Sequence, residues 1–104
     1  MNRYRVVFRQ EALEDLEELY DFIADAGSPE NAASFTESIV SFCESFADFA
    51  QRGTARDDLR PGLRTVGYRK RVVIAFAIIN ETVAIIGIFY GGRDHEQLLS
   101  TDGQ

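Results

Sequence analysis

One cysteine, one histidine, one lysine and no tryptophan occur among the 104 residues of this chain. A single thiol, Cys43, excludes an intramolecular disulfide and suits a reducing compartment, so a cytoplasmic protein is expected. With only His95 beside it, and no HExxH or CxxC spacing, neither a metal site nor a thiol hydrolase has support, and no cofactor is expected. The longest apolar run, Val72 to Ile79, is eight residues, far below the roughly 20 that a membrane helix needs. No charged-then-apolar leader opens the chain, which argues for a soluble domain without a membrane role. One sign of charge is missing over a long stretch: residues 10–50 hold eleven Asp and Glu and no Lys or Arg.

The missing cations reappear together. Residues 51–71 carry seven Lys and Arg against two Asp, a local balance of +5 in a chain of net charge −6. Like charges held close together repel, so such segregation points to a surface kept for an oppositely charged partner. The overall acidity, with a pI near 4.7, argues against broad nucleic-acid binding, which depends on a large positive field.

The periodicities give an α+β domain of order β-α-α-β-β-β. Tyr4, Val6 and Phe8 alternate as a strand does, and then the period changes. Ala12, Leu13, Leu16, Leu19, Tyr20 and Ile23 fall at helical spacing over residues 10–26. Gly27-Ser28-Pro29 supplies a stop, an N-cap and a first-turn proline for a second helix striped by Phe35, Ile39, Phe42, Cys43, Phe46 and Phe49 or Ala50. So short a connection makes the pair an antiparallel hairpin with a shared apolar seam. Residues 51–61 read as an exposed loop. Leu63–Val66, Arg71–Ile79 and Thr82–Tyr90 read as strands, with Asn80-Glu81 as a tight turn and Val72–Ile79 as the central strand. The helical hairpin then packs on a small, mostly antiparallel sheet. A single domain over residues 1–99 with a frayed tail at 100–104 is expected.

Several residues invite chemistry and are better explained without it. His95 stands between Asp94 and Glu96, whose side chains point to opposite faces of an extended segment, so a solvated residue is expected. Cys43 lies on an apolar stripe and reads as a buried structural thiol. Gly91-Gly92 lacks the spacing and the helix N-terminus of a phosphate loop. The helical carboxylates have the spacing of any solvated face. The cations Arg56, Arg60, Arg64, Arg69, Lys70, Arg71 and Arg93, with Tyr68 and Tyr90 among them, leave three readings open. They could stabilise a pentavalent phosphate in RNA cleavage, anchor an acidic partner, or pair with the protein's own acidic helices.

The strand Tyr4–Phe8, the helix segments Glu11–Leu16 and Tyr20–Ala24, and the linker Gly27–Ala32 together resemble the ParE toxins of the ParE/RelE superfamily. The most specific stretches are Arg52-Gly53-Thr54-Ala55-Arg56-Asp57-Asp58-Leu59-Arg60-Pro61-Gly62-Leu63-Arg64 and Ile88-Phe89-Tyr90-Gly91-Gly92-Arg93-Asp94. The resemblance covers residues 3 to 99. It implies the RelE-like fold and the toxin half of a type II toxin–antitoxin system of the plasmid-stabilisation kind. Such a toxin is not an enzyme: it inhibits DNA gyrase by trapping the cleaved DNA complex. The implied partner is a ParD-like antitoxin with a dimerising ribbon-helix-helix N-terminal half and a flexible C-terminal half that folds onto the toxin. A hetero-oligomer would follow, touching DNA only through the antitoxin. On this resemblance Arg60, Arg64, Tyr90, Arg93 and Asp94 would face the target, and Tyr68, Arg69, Arg71, Leu13 and Leu16 the antitoxin. Reversing Arg60 and Arg64 to Glu should then weaken binding and leave the fold intact. The alternative branch, RelE-like, cuts messenger RNA on the ribosome with basic and aromatic side chains, of which Tyr90 and Arg93 would be the candidates here.

Overall fold

A computed structural model describes residues 3–91. Strand β1 (Arg5–Phe8) leads into helix α1 (Gln10–Ala26), which a two-residue linker joins to α2 (Pro29–Glu44) and a short 3-10 turn (Ser45–Ala47). Four strands follow: β2 (Thr54–Ala55), β3 (Leu63–Tyr68), β4 (Val72–Ile79) and β5 (Thr82–Tyr90). The sheet order is β1-β5-β4-β3-β2, antiparallel except where β1 runs parallel to β5. The α+β arrangement is the expected one, with β4 in the centre.

The helix break follows from the proline. Pro29 disfavours helical geometry at Ser28, which is extended (φ −142°, ψ 152°) and accepts the Asn31 N–H on its Oγ at 3.1 Å. Gly27 ends α1 with φ −141°, so it is not there to supply a left-handed turn; its amide simply donates to the Ile23 carbonyl. Ala12, Leu19, Ile39, Cys43 and Phe46 then close over Ile74, Phe76, Val83, Ile85 and Ile88 of the sheet. A smaller cluster of Leu63, Ala75 and Phe89 forms separately, with Leu59 of the long loop packed against it.

Two local features differ from the sequence pattern. Residues 51–61 are not merely a loop: Thr54 and Ala55 pair with Thr65 and Arg64, adding a fifth strand. The β4–β5 register also shifts, with Ala75 opposite Gly87 and Phe76 opposite Ile85, which leaves Ile86 as an extra, bulged residue. The bulge lets Ile85 and Ile88 both join the helix-side core.

Cys43 is fully buried, as its place on the apolar stripe implies. Burial, with a smaller contribution from Glu44, pushes its thiol up from 9.0 to about 12. At pH 8 the native thiol should react with a disulfide reagent at least about a hundredfold more slowly than the urea-unfolded chain. Between pH 9 and about 12 the folded state binds the extra proton, so stability should fall as pH rises through that window. Equal thiol reactivity in native and unfolded protein would contradict this placement.

Candidate functional site

The β3–β4 connection is the part of the sheet least expected from its composition. Arg69, Lys70 and Arg71 form a three-residue connection between paired Tyr68 and Val72, and the first two are left-handed with φ of 53° and 69°. Glycine, asparagine and aspartate are the residues that take such angles most readily. Each left-handed cation here carries a backbone penalty of about 1 kcal/mol. The turn is pinned where the Gly91 amide donates to the Arg71 carbonyl. Arg69, Lys70 and Arg71 are all exposed.

Aromatic rings hold this end of the sheet to the helices. Tyr68 stacks on Phe42 with ring centroids 4.6 Å apart, and the Arg69 guanidinium lies 5.2 Å above the Tyr68 ring. The register sets Tyr68 opposite Val72, and Val72 opposite Tyr90. Tyr90 meets Phe22 at 5.8 Å and Phe35 at 6.1 Å. It is the wall between two grooves. One, of about 470 Å3, is lined by Asp15, Glu18, Phe22, Arg71 and Ile88; the other, of about 390 Å3, by Ile23, Asn31, Phe35, Ser38 and Arg69. Phe22 is 60% exposed, a large ring left open in the groove that Arg71 also lines.

Arg52, Arg56 and Arg64 of the basic strip are engaged within the protein itself. The Arg52 guanidinium lies 4.7 Å from the Phe42 ring centroid and 5.0 Å from that of Phe46, and donates to Ser45 Oγ. Arg56 grips Asp58 with two hydrogen bonds of 2.9 Å, which lowers the Asp58 carboxyl below its usual range. Arg64 Nε donates to the Arg52 carbonyl at 2.9 Å, and its Nη2 reaches the Gly53 carbonyl. The strip is thus partly structural, and Arg64→Glu would break the loop's anchorage as well as change its charge.

The structure brings Tyr68, Arg69, Arg71 and Tyr90 together at one end of the sheet. Arg64 lies four residues back along β3, roughly 13 Å away, with half-buried Arg60 beyond it in the loop. Leu16 and Leu13 lie on α1, the first half-buried against the core and the second 44% exposed. Arg93, Asp94 and His95 lie outside the described residues, as do the boundary at 99 and the tail beyond it. Sequence reasoning gave Phe35 only a place on the apolar stripe of the second helix, and no role to Phe22 or Asp15. Phe22 carried a signal, being an aromatic on an otherwise carboxylate-rich side of α1. Asp15 had none to separate it from its acidic neighbours. Among the described residues, no group of His, Cys, Asp and Glu could hold a metal ion. Nor is any helix there long and apolar enough to cross a membrane.

Comparison with known proteins gives one family and one fold. The family model described as the ParE toxin of the type II toxin–antitoxin system parDE matches residues 6–95. A chain of the chromosomal ParDE system of P. aeruginosa superposes with a TM-score of 0.75 at 22% identity, covering 86% of this chain and 97% of that one. The E. coli toxin RelE, as an arginine-to-alanine double mutant in the free state, gives 0.67 at 13% identity, covering 96% of each chain. A chain of the RelBE2 toxin–antitoxin complex from Mycobacterium tuberculosis gives 0.58 at 19% identity, covering 85% of this chain and 98% of that one. No curated protein matches the sequence.

Proposed function

Because the chain belongs to the ParE toxin family of type II toxin–antitoxin systems, we propose that it inhibits DNA gyrase and is neutralised by direct binding of a ParD-like antitoxin in the cytoplasm. Family membership supports a toxin that acts by binding and not as an enzyme. The observation favouring a binding surface is the groove pair divided by Tyr90, with an open Phe22 and the cations of a strained turn at its rim. Exposed aromatic and arginine side chains around a groove are what anchors of a protein interface look like.

In this reading the antitoxin's flexible C-terminal half crosses Tyr68, Arg69 and Arg71 and reaches the hairpin at Leu13 and Leu16. Its ribbon-helix-helix half would carry the complex to DNA. Tyr90, assigned to the target, lies among the antitoxin-facing cations, so the antitoxin would cover it and exclude gyrase sterically. Arg60 would extend the target surface along the loop. Arg64 serves it by holding Arg52 and Gly53 in place, and Arg93 and Asp94 stay assigned to the target on the family resemblance alone.

The deciding experiment pairs gyrase supercoiling and cleavage with an in vitro translation reaction, each with and without antitoxin. Trapped gyrase–DNA cleavage with translation untouched supports the proposal. Cut messenger RNA with gyrase unaffected would replace it with the RelE-like ribonuclease reading, in which Tyr90 would be tested first.

The strained turn supplies its own check. Arg69→Asn combined with Lys70→Gly should raise stability by about 1 kcal/mol or more, because both residues suit the left-handed turn. The same double variant should bind antitoxin more weakly. Unchanged affinity by titration calorimetry would show that the cations are kept for something else.

A further inference from the structure

The seam between the two helices holds a separate groove, which shares Leu16 with the antitoxin-facing surface proposed above. It has a volume of about 540 Å3 and an apolar floor of half-buried Leu16, Tyr20 and Val40. Exposed Glu17 and Glu37 stand on either side, one from each helix. Leu13, one helical turn before Leu16 and Glu17, is 44% exposed. Neither helix contains a Lys or Arg to offset these carboxylates. The surface matching it in charge is on the same chain: the β3–β4 turn, with three consecutive exposed cations on a fixed backbone. Packed helices leave a surface furrow and not a gap, so the long side chains of the turn, and not its backbone, would reach the floor of the seam.

We propose that the hairpin seam of one molecule receives the β3–β4 turn of a second copy, so that the free protein self-associates head to tail. Lys70 and its neighbours meet Glu17 and Glu37, while the stems of the long cations cover Leu16, Tyr20 and Val40. Donor and acceptor are different surfaces, so each copy offers one of each. The contact is heterologous and extends beyond a dimer unless the rotation closes a ring. This does not depend on gyrase being the target.

Sedimentation velocity of the purified chain tests it. At about 50 mM salt the mean mass should rise with concentration past twice the monomer's 11.7 kDa, and at about 500 mM salt it should return to the monomer. Lys70→Asp, which suits the left-handed turn, and Glu37→Lys, on an exposed helix face, should each weaken association by about tenfold or more. Their equimolar mixture is the sharper test. In the mixture the intact turn of the Glu37→Lys protein meets the intact seam of the Lys70→Asp protein, and the reversed turn of the latter is again opposite in charge to the reversed seam of the former, so association should return. A monomer at low salt, association untouched by both substitutions, or a mixture that stays monomeric would each overturn the proposal. Circular dichroism of both variants confirms that neither result reflects unfolding.

Discussion

Gly53→Ala is expected to cost about 3 kcal/mol or more and to lower the melting temperature by more than about 10 °C. Gly53 has φ +75°, and a Cβ there would lie 2.2 Å from the Thr65 carbonyl oxygen and 2.9 Å from the Val66 Cβ. The obstacle is the backbone of β3 itself, so no rotamer change relieves it. The Gly53 carbonyl also receives Arg64 Nη2, next to the Arg52 carbonyl that accepts Arg64 Nε. Moving Gly53 away from Thr65 therefore undoes the Thr54–Thr65 pairing and the arginine latch together. Gly62 is the control. It has a similar φ of +79° but nothing within 4 Å of its virtual Cβ, so Gly62→Ala should cost only the left-handed penalty of about 1 kcal/mol. Equal melting temperatures for the two variants would mean that the β2–β3 approach is looser than described.

The elements that could be read from sequence are those whose cause is local. Helix α1 spans the residues its periodicity marks, because burial of one stripe decides a helix within its own few turns. Ser28 and Pro29 set the next boundary by sterics between adjacent residues, and Asn80, at φ 57°, makes the expected tight turn. What escaped depends on partners far along the chain. Thr54–Ala55 becomes a strand only because β3 passes beside it. Arg69–Arg71 is a hairpin turn although Arg-Lys-Arg has none of the usual turn composition. The parallel pairing of β1 with β5 joins residues more than 70 positions apart, which periodicity cannot report. The same holds for the site: the cations were visible as a block, but which were committed to the loop depended on carbonyls and rings brought in by folding.

Asp15→Ala is expected to destabilise the protein by about 2 kcal/mol, with Asp15→Asn recovering most of the loss. Strand β1 covers β5 only from Thr82 to Ile85, so the far edge of β5 has no strand beside it after the bulge. The Ile88 amide sits there on a residue only 2% exposed, and it donates to Asp15 Oδ2 at 2.9 Å across 73 residues of sequence. Truncation at residue 15 removes that acceptor and leaves a buried amide unpaired, the costly half of hydrogen-bond arithmetic. Asparagine keeps an oxygen on the same stem and can accept the same bond without charge. The ordering wild type, then Asn, then Ala in urea midpoint is therefore the result that identifies a hydrogen bond, whereas equal losses for Asn and Ala would assign the effect to charge. Native-state hydrogen exchange at Ile88 gives the local readout, with protection lost first in Asp15→Ala. Because Asp15 and Ile88 both line the groove walled by Tyr90, loosening that bond should also weaken antitoxin binding, even though Asp15→Ala adds an apolar surface where a partner would dock.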